Sequence, residues 1–147
     1  MNNRYLFKAI DTNSVWRTGL LIALKGDRCT IEESDGSKWA CDAKTLCQCT
    51  GLKDKNGKLI WENDILHNGN YFVVKWNESC SRFDIVLNKF CNIPIGKWEP
   101  MICDWKTNDF KEYRKAVDYE VIGNIFDNPE LNKREKTYCK DGNDYER

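Results

Sequence analysis

The sequence predicts a mainly β fold: a small, barrel-like single domain with one or two short helices. Short apolar runs recur along the chain, each closed by a turn-forming cluster such as Ser34-Asp35-Gly36-Ser37, Asp54-Lys55-Asn56-Gly57 or Asn68-Gly69-Asn70. Asp-Gly and Asn-Gly steps supply the positive φ that tight hairpins need. Six tryptophans, six tyrosines and six phenylalanines in 147 residues add a residue class that favours strands and interfaces.

The elements follow in order. Tyr5 to Ile10 is a first short strand, ended by Asp11-Thr12-Asn13-Ser14. Trp16 to Leu24 is a second, with Gly19 permitting a bend or bulge. Cys29 to Glu32 and Lys38 to Cys41 flank the Asp35-Gly36 turn as a hairpin. Thr45 to Cys49 is a further short run. Lys58 to Trp61 follows the Asn56-Gly57 turn, and Asp64 to Leu66 comes soon after. Tyr71 to Trp76 is apolar on both faces, which places it centrally in a sheet. Arg82 to Leu87 alternates and reads as its antiparallel neighbour. Pro94, Gly96 and Pro100 interrupt the pattern, so residues 88–105 read as a loop with short extended pieces. Thr107 or Asn108 can cap a short helix through Val117, with Phe110, Tyr113 and Val117 on one face. Tyr119 to Phe126 is the last strand, and Pro129 can open a terminal turn of helix. The domain is expected over residues 1–131, with 132–147 as a polar, frayed tail.

Composition excludes several classes. Twenty-three basic and 23 acidic residues leave a formal charge of zero, which argues against a general nucleic-acid coat or a polybasic membrane anchor. The longest apolar run, Leu20 to Leu24, is far short of the roughly 20 residues that span a bilayer. Met1 to Tyr5 has no signal-peptide character, so a cytoplasmic location is expected. No Walker loop, Gly-x-Ser-x-Gly, His-Glu-x-x-His or Rossmann fingerprint occurs. No cofactor is called for.

The eight cysteines are about 5% of the chain, below the level of a disulfide scaffold, and a reducing compartment disfavours bridges. Cys41, Cys47, Cys49 and His67, the single histidine, could build a tetrahedral zinc site. Their spacing matches no common zinc ribbon or finger, and small buried hydrophobes are the favoured reading.

Two longer segments carry a resemblance. Thr50 to Leu66 (TGLKDKNGKLIWENDIL) is similar to the central signature of the YopX-like phage and prophage proteins. Glu120 to Leu131 (EVIGNIFDNPEL) is similar to their C-terminal signature. Arg4 to Ala9, the Trp16…Gly19 pair, the approach through Thr45, Cys47 and Gln48, and the Tyr71–Trp76 strand also fit. The family often has tyrosine where Cys49 stands and glycine where Asn63 stands, and residues 106–117 resemble an insertion. The resemblance implies a compact β fold and self-association. The entry through Glu62 to Leu66 also resembles that of an SH3-like barrel, a likeness of fold that licenses no activity.

Within these signatures Gly51, Asp54, Asn56, Gly57, Trp61, Glu62, Asp64, Gly123, Asn124 and Pro129 read as fold-maintaining. Asp54 can accept backbone amides across its turn, Gly123 allows close backbone packing, and Asp127 or Asn128 can cap the turn that Pro129 opens. Glu62 and Asp64, two apart, share one side of a strand if the run is extended, and could serve as an acid/base or metal pair. A structural role is favoured, since no second acidic cluster accompanies them.

Two groupings of bases with aromatics are candidate ligand or partner sites. One is Lys75, Trp76 and Arg82. The other is Trp105, Lys111, Tyr113 and Arg114, with Lys106 and Lys115 beside them. Each could hold a phosphate and stack a base, or be a solvated face over core aromatics. The expected function is a non-enzymatic phage or prophage accessory protein, forming a homo-oligomer and acting against host antiviral defence. It would block a host protein or sequester a small nucleotide ligand. The alternatives are a nucleic-acid-associated SH3-like module and a metal-dependent enzyme using Glu62 and Asp64.

Overall fold

The computed structural model describes residues 3–88, 91–96 and 114–131. Two compact units appear along the chain, Met1–Gly51 and Leu52–Arg147. Both are mainly β.

The first unit holds β1 (Phe7–Ile10), β2 (Trp16–Lys25), β3 (Arg28–Glu32), β4 (Lys38–Asp42) and most of β5 (Cys47–Lys53). The strands lie in the order β4-β3-β2-β1-β5, all antiparallel. Ala9, Cys29, Ile31 and Cys41 form the core, with Phe7, Leu21, Trp39, Ala43 and Leu46 packed on it. These positions alternate along their strands, which is what puts them on one face. A single bridge between Asp11 and Cys41 ties the end of β1 back to β4. One bridge is not a ladder, and among the described residues the sheet does not close into a barrel.

Gly19 acts differently from the bend expected there. A Cβ at this position would overlap the Glu32 backbone, 2.8 Å from its carbonyl carbon. The bulge falls two residues on, between Leu21 and Ala23. Beyond it the alternation fails, and Ile22 to Lys25 are all exposed.

The second unit begins with the hairpin from β5 into β6 (Leu59–Trp61). It continues through β7 (Asp64–His67), β8 (Tyr71–Asn77), β9 (Arg82–Asn88), β10 (Cys91–Gly96), β11 (Arg114–Lys115) and β12 (Glu120–Asn124). The order is β11-β10-β9-β8-β7-β12, antiparallel except for the β10/β11 pair. The expected central strand and its neighbour are β8 and β9, in register from Val73↔Val86 to Asn77↔Arg82. Its core comprises Ile60, Leu66, Phe72, Val74, Phe83, Ile85, Leu87, Ile95, Ala116, Tyr119 and Val121.

Two expectations are sharpened or corrected here. Within 88–105, read as a loop with short extended pieces, residues 91–96 form one six-residue strand, and Pro94, in register with Asp84 of β9, does not interrupt it. The helix expected to run through Val117 ends differently. Residues 114–115 are β11, and Ala116–Asp118 is a 3-10 turn that buries Ala116 and leaves Val117 exposed. The rest of that stretch, from Thr107 to Tyr113, and the tail 132–147 lie outside the described residues.

Candidate functional site

The central and C-terminal signatures meet in the second unit, through Asp54. Its carboxylate is 3% exposed. One oxygen accepts from the backbone amides of Asn56 (2.9 Å) and Lys58 (2.8 Å) across the turn. The other accepts from the amide of Val121 on β12 (2.9 Å). Beside it the Lys55 amide donates to the Tyr119 carbonyl at 2.9 Å. Burial pushes the Asp54 carboxyl up, but the three amides and the nearby Lys58 charge outweigh it and hold it below the ordinary value. Gly57 has φ +82° and Gly51 the same value, so both occupy backbone that favours glycine.

Asn63 makes the second tie. Its φ is +72°, a left-handed conformation that asparagine tolerates better than most residues. Its carbonyl accepts from the Ile125 amide at 3.1 Å, and its own amide donates to the Val74 carbonyl at 2.7 Å. This turn also corrects the reading of Glu62 and Asp64. Residues 62–63 reverse the chain between β6 and β7, so the run is not extended and the spacing of two does not align the carboxylates. Asp64, buried, accepts from the Trp61 amide at 2.8 Å. Glu62 is half-buried in the turn.

The C-terminal signature ends in a local knot of amides. The side-chain oxygen of Asn124 accepts from the amides of Phe126 and Asp127, each at 2.9 Å, as an Asx turn does. Asn128 turns its side chain back to the Asn124 amide (3.2 Å). The close approach at Gly123 is therefore to this side chain and not to backbone: a Cβ there would overlap it, 2.6 Å from Asn128 Cγ. The short helix opens at Pro129, which is exposed.

Of the two base-and-aromatic groupings, Lys75 and Arg82 share one face of the β8–β9 pair with Asn77 and Asp84, while Trp76, opposite Phe83, lies on the other face. Both bases are engaged. Lys75 Nζ donates to Asn63 Oδ1 at 2.9 Å, and Arg82 Nε pairs at 2.7 Å with Asp84, whose side chain is fully buried. Asn77 donates to the other Asp84 oxygen at 2.8 Å. Trp76 is 36% exposed and packs edge-on against Phe83, ring centres 4.9 Å apart. The strand's alternation foretells the Arg82–Asp84 contact, since residues two apart share a face. In the other grouping, Trp105, Lys106, Phe110, Lys111 and Tyr113 lie outside the described residues. The backbones of Arg114 and Lys115 are β11, in register with Ile95 and Gly96.

Cys41, Cys47 and Cys49 are buried free thiols. Burial, followed by the neighbouring Cys29 and Asp11, pushes Cys41 up to about 11, far from a reactive thiolate at neutral pH. His67 ends β7, as the following turn predicts, and meets Tyr71 edge-on with centroids 4.9 Å apart. Among the described residues no three or more His, Cys, Asp or Glu side chains are grouped to hold a metal ion. No described helix is long and apolar enough to cross a membrane.

Sequence reading missed two features of the first unit. A cavity of about 320 Å³ is lined by Asp11, Thr12, Asp27, Arg28, Asp42 and Lys44. Its frame is fixed: the Asp11 carboxylate takes the Asn13 and Val15 amides and Arg17 Nε, Asp42 caps the 3-10 turn Ala43–Thr45, and the Ala43 amide donates to the Asp27 carbonyl. These residues come from three separate segments, so no local motif announces them. The second feature is on β2, where Leu20, Ile22 and Leu24 are 44%, 44% and 58% exposed. The apolar run was visible in the sequence, but the bulge that leaves its end uncovered was not.

Residues 11–133 match the model of the YopX protein family, and the chain belongs to that family. No curated protein matches it. A crystal structure of protein EF1440 from Enterococcus faecalis is similar over 85% of this chain and 95% of that one, at 25% identity and a TM-score of 0.44.

Proposed function

We propose that this YopX-family chain is a non-enzymatic binding protein of phage or prophage origin that counteracts host antiviral defence by occupying a host protein. The observation that supports this reading is the exposed apolar set Leu20, Ile22 and Leu24 on β2. The bulge puts Leu20, opposite Glu32, and Leu24, opposite Cys29, on opposite faces of the strand, so the apolar groups are exposed around the strand end rather than on one flat face. Exposed apolar groups this close together are characteristic of segments that bury against another protein. The engagement of Lys75 by Asn63 and of Arg82 by Asp84 lowers the case for a nucleotide held at that face. Self-association through β2 is the companion expectation, since the same surface can serve a second copy.

A second reading has one observation in its favour. The first-unit cavity has the bases Arg28 and Lys44 on its walls together with Thr12 and three carboxylates, Asp11, Asp27 and Asp42. A small ligand that carries both a cationic group and a phosphate would meet such a mixed lining, and sequestering it would also disarm a signalling defence. An SH3-like nucleic-acid module has less support, given zero net charge. A metal-dependent enzyme built on Glu62 and Asp64 has less again, because the turn at Asn63 separates them.

Expression of the chain in bacteria that carry an antiviral defence tests the main reading. Plaque counts of a restricted phage are expected to rise by orders of magnitude with the unaltered chain. A Leu20→Asp/Ile22→Asp chain of unchanged thermal stability is expected to lose that effect. Unchanged restriction across a panel of defences would overturn the proposal. Retained protection in the double variant, lost instead on Arg28→Glu/Lys44→Glu substitution, would move it to the cavity.

A further inference from the structure

Cys29 on β3 and Cys41 on β4 are direct cross-strand partners in the antiparallel register. Both side chains lie in the same core cluster, 2% and 1% exposed, so they project from the same face. Residues opposite one another in an antiparallel pair have Cα atoms about 4.5–5.5 Å apart. Disulfides span Cα separations of about 4.4–6.8 Å. The two are free thiols in this structure. No other two cysteines face each other in a strand register among the described residues: Cys47 pairs with Lys8, and Cys91 with Asn88.

We infer that Cys29 and Cys41 are a disulfide-forming pair, closing across β3 and β4 when a small-molecule disulfide such as oxidised glutathione is supplied. The step balances as two exchanges. One cysteine thiolate attacks the glutathione disulfide, forming a mixed disulfide and expelling one glutathione thiolate. The second cysteine thiolate attacks the protein sulfur of that mixed disulfide and expels the other. The two protons from the protein thiols end on two molecules of reduced glutathione, and the protein is oxidised by two electrons.

The position of the pair sets the rate. β4 ends the strand order of its sheet and is held on its other side by the single Asp11–Cys41 bridge, so local opening is easier there than at the sheet's centre. Burial and the mutual repulsion of the two sulfurs as anions keep thiolate scarce, with Cys41 at about 11. Closure is therefore slow at neutral pH and accelerates toward alkaline pH. Among the free cysteines described, Cys80 is the exposed one, and oxidant reaches it without any opening of a sheet. Once formed, the bond links two strands already in register, and shortens the span the unfolded chain can explore.

The test uses the full chain with Cys80→Ser, which alters an exposed position only. It is incubated with oxidised glutathione at neutral and mildly alkaline pH, quenched with a thiol alkylator, digested and mapped by mass spectrometry. The expected product is one peptide pair joined through Cys29 and Cys41, formed faster at alkaline pH. A rise in Tm that a thiol reductant reverses is expected alongside it. Persistence of both residues as alkylatable thiols after the chain has been cycled through unfolding-level temperatures with oxidant would overturn the inference. So would joining of either residue preferentially to Cys47 or Cys49. Because the mapping is done with both cysteines present, it does not depend on a core variant that fails to fold.

Discussion

The Asp54 carboxylate accepts a 2.9 Å hydrogen bond from the amide of Val121, 67 positions further along the chain. With its bonds to Asn56 and Lys58, it joins the tip of the β5–β6 hairpin to β12. The two signature segments of the family are therefore the two sides of one hydrogen-bonded junction. The Val121 amide finds its acceptor in Asp54, and the Lys55 amide finds its own in the Tyr119 carbonyl.

Asp54→Ala is expected to destabilise the second unit by about 3 kcal/mol, since charge-assisted bonds are lost and amides in a buried setting are left unmade. Asp54→Asn keeps one acceptor and is expected to cost less. Urea unfolding of the two variants checks the ranking, and equal stability of Asp54→Ala with the unaltered chain would contradict the junction.

Acid should weaken the fold through the same group. The folded Asp54 value lies below its ordinary 3.8, net of burial that pushes it the other way. Its contribution is complete above the unfolded value and is lost as pH falls through the folded one. Asp11 in the first unit is lowered as well, mainly by the hydrogen bond from Arg17 and then by the Val15 amide. Urea midpoints measured downward from neutral pH should therefore hold steady, then fall as pH drops through and below the ordinary carboxylate range. Asp54→Asn should show a shallower acid decline.

Asn63 separates conformation from contact. At φ +72° alanine is expected to cost about 1 kcal/mol for the left-handed backbone alone, in addition to the Lys75 hydrogen bond. Glycine loses the same bond but fits the backbone. Thermal melts should rank the unaltered chain and Asn63→Gly close together, with Asn63→Ala below both. The reverse order of glycine and alanine would show that the turn relaxes out of this conformation.

Arg82 is predicted to matter for stability and not for recognition. Arg82→Ala leaves the fully buried Asp84 side chain without its charged partner, though Asn77 remains. A loss of about 1–2 kcal/mol is expected, moderated because Arg82 itself is 43% exposed. Protection against defence should be unchanged in cells grown at a temperature where the variant is folded.

The strands were legible because their turns are. Gly36 and Gly57 carry φ +90° and +82° at the hairpin tips that Asp-Gly and Asn-Gly steps announce. The central position of β8 followed from its two apolar faces. β10 was hidden by Pro94, whose missing amide argues against a strand unless the pairing is already known. Asp54 could be read as a turn residue from Asn56 and Gly57, but its reach to Val121 is a tertiary fact with no local signal. The Lys75–Trp76–Arg82 grouping was visible as composition. What neutralises its charges was only half visible, in Asp84 two residues beyond Arg82. The first-unit cavity has no motif at all, being assembled from the ends of β1, β3 and β4 and the turns beside them.

The exposed apolar end of β2 carries the functional account, and one measurement addresses it most directly. Affinity purification from defence-bearing cells would compare the unaltered chain with Leu20→Asp/Ile22→Asp, both quantified by mass spectrometry. The account predicts a host defence component retained in defined stoichiometry by the unaltered chain and lost from an equally stable variant. The same component retained by both chains, or none retained by either while protection persists, would contradict it.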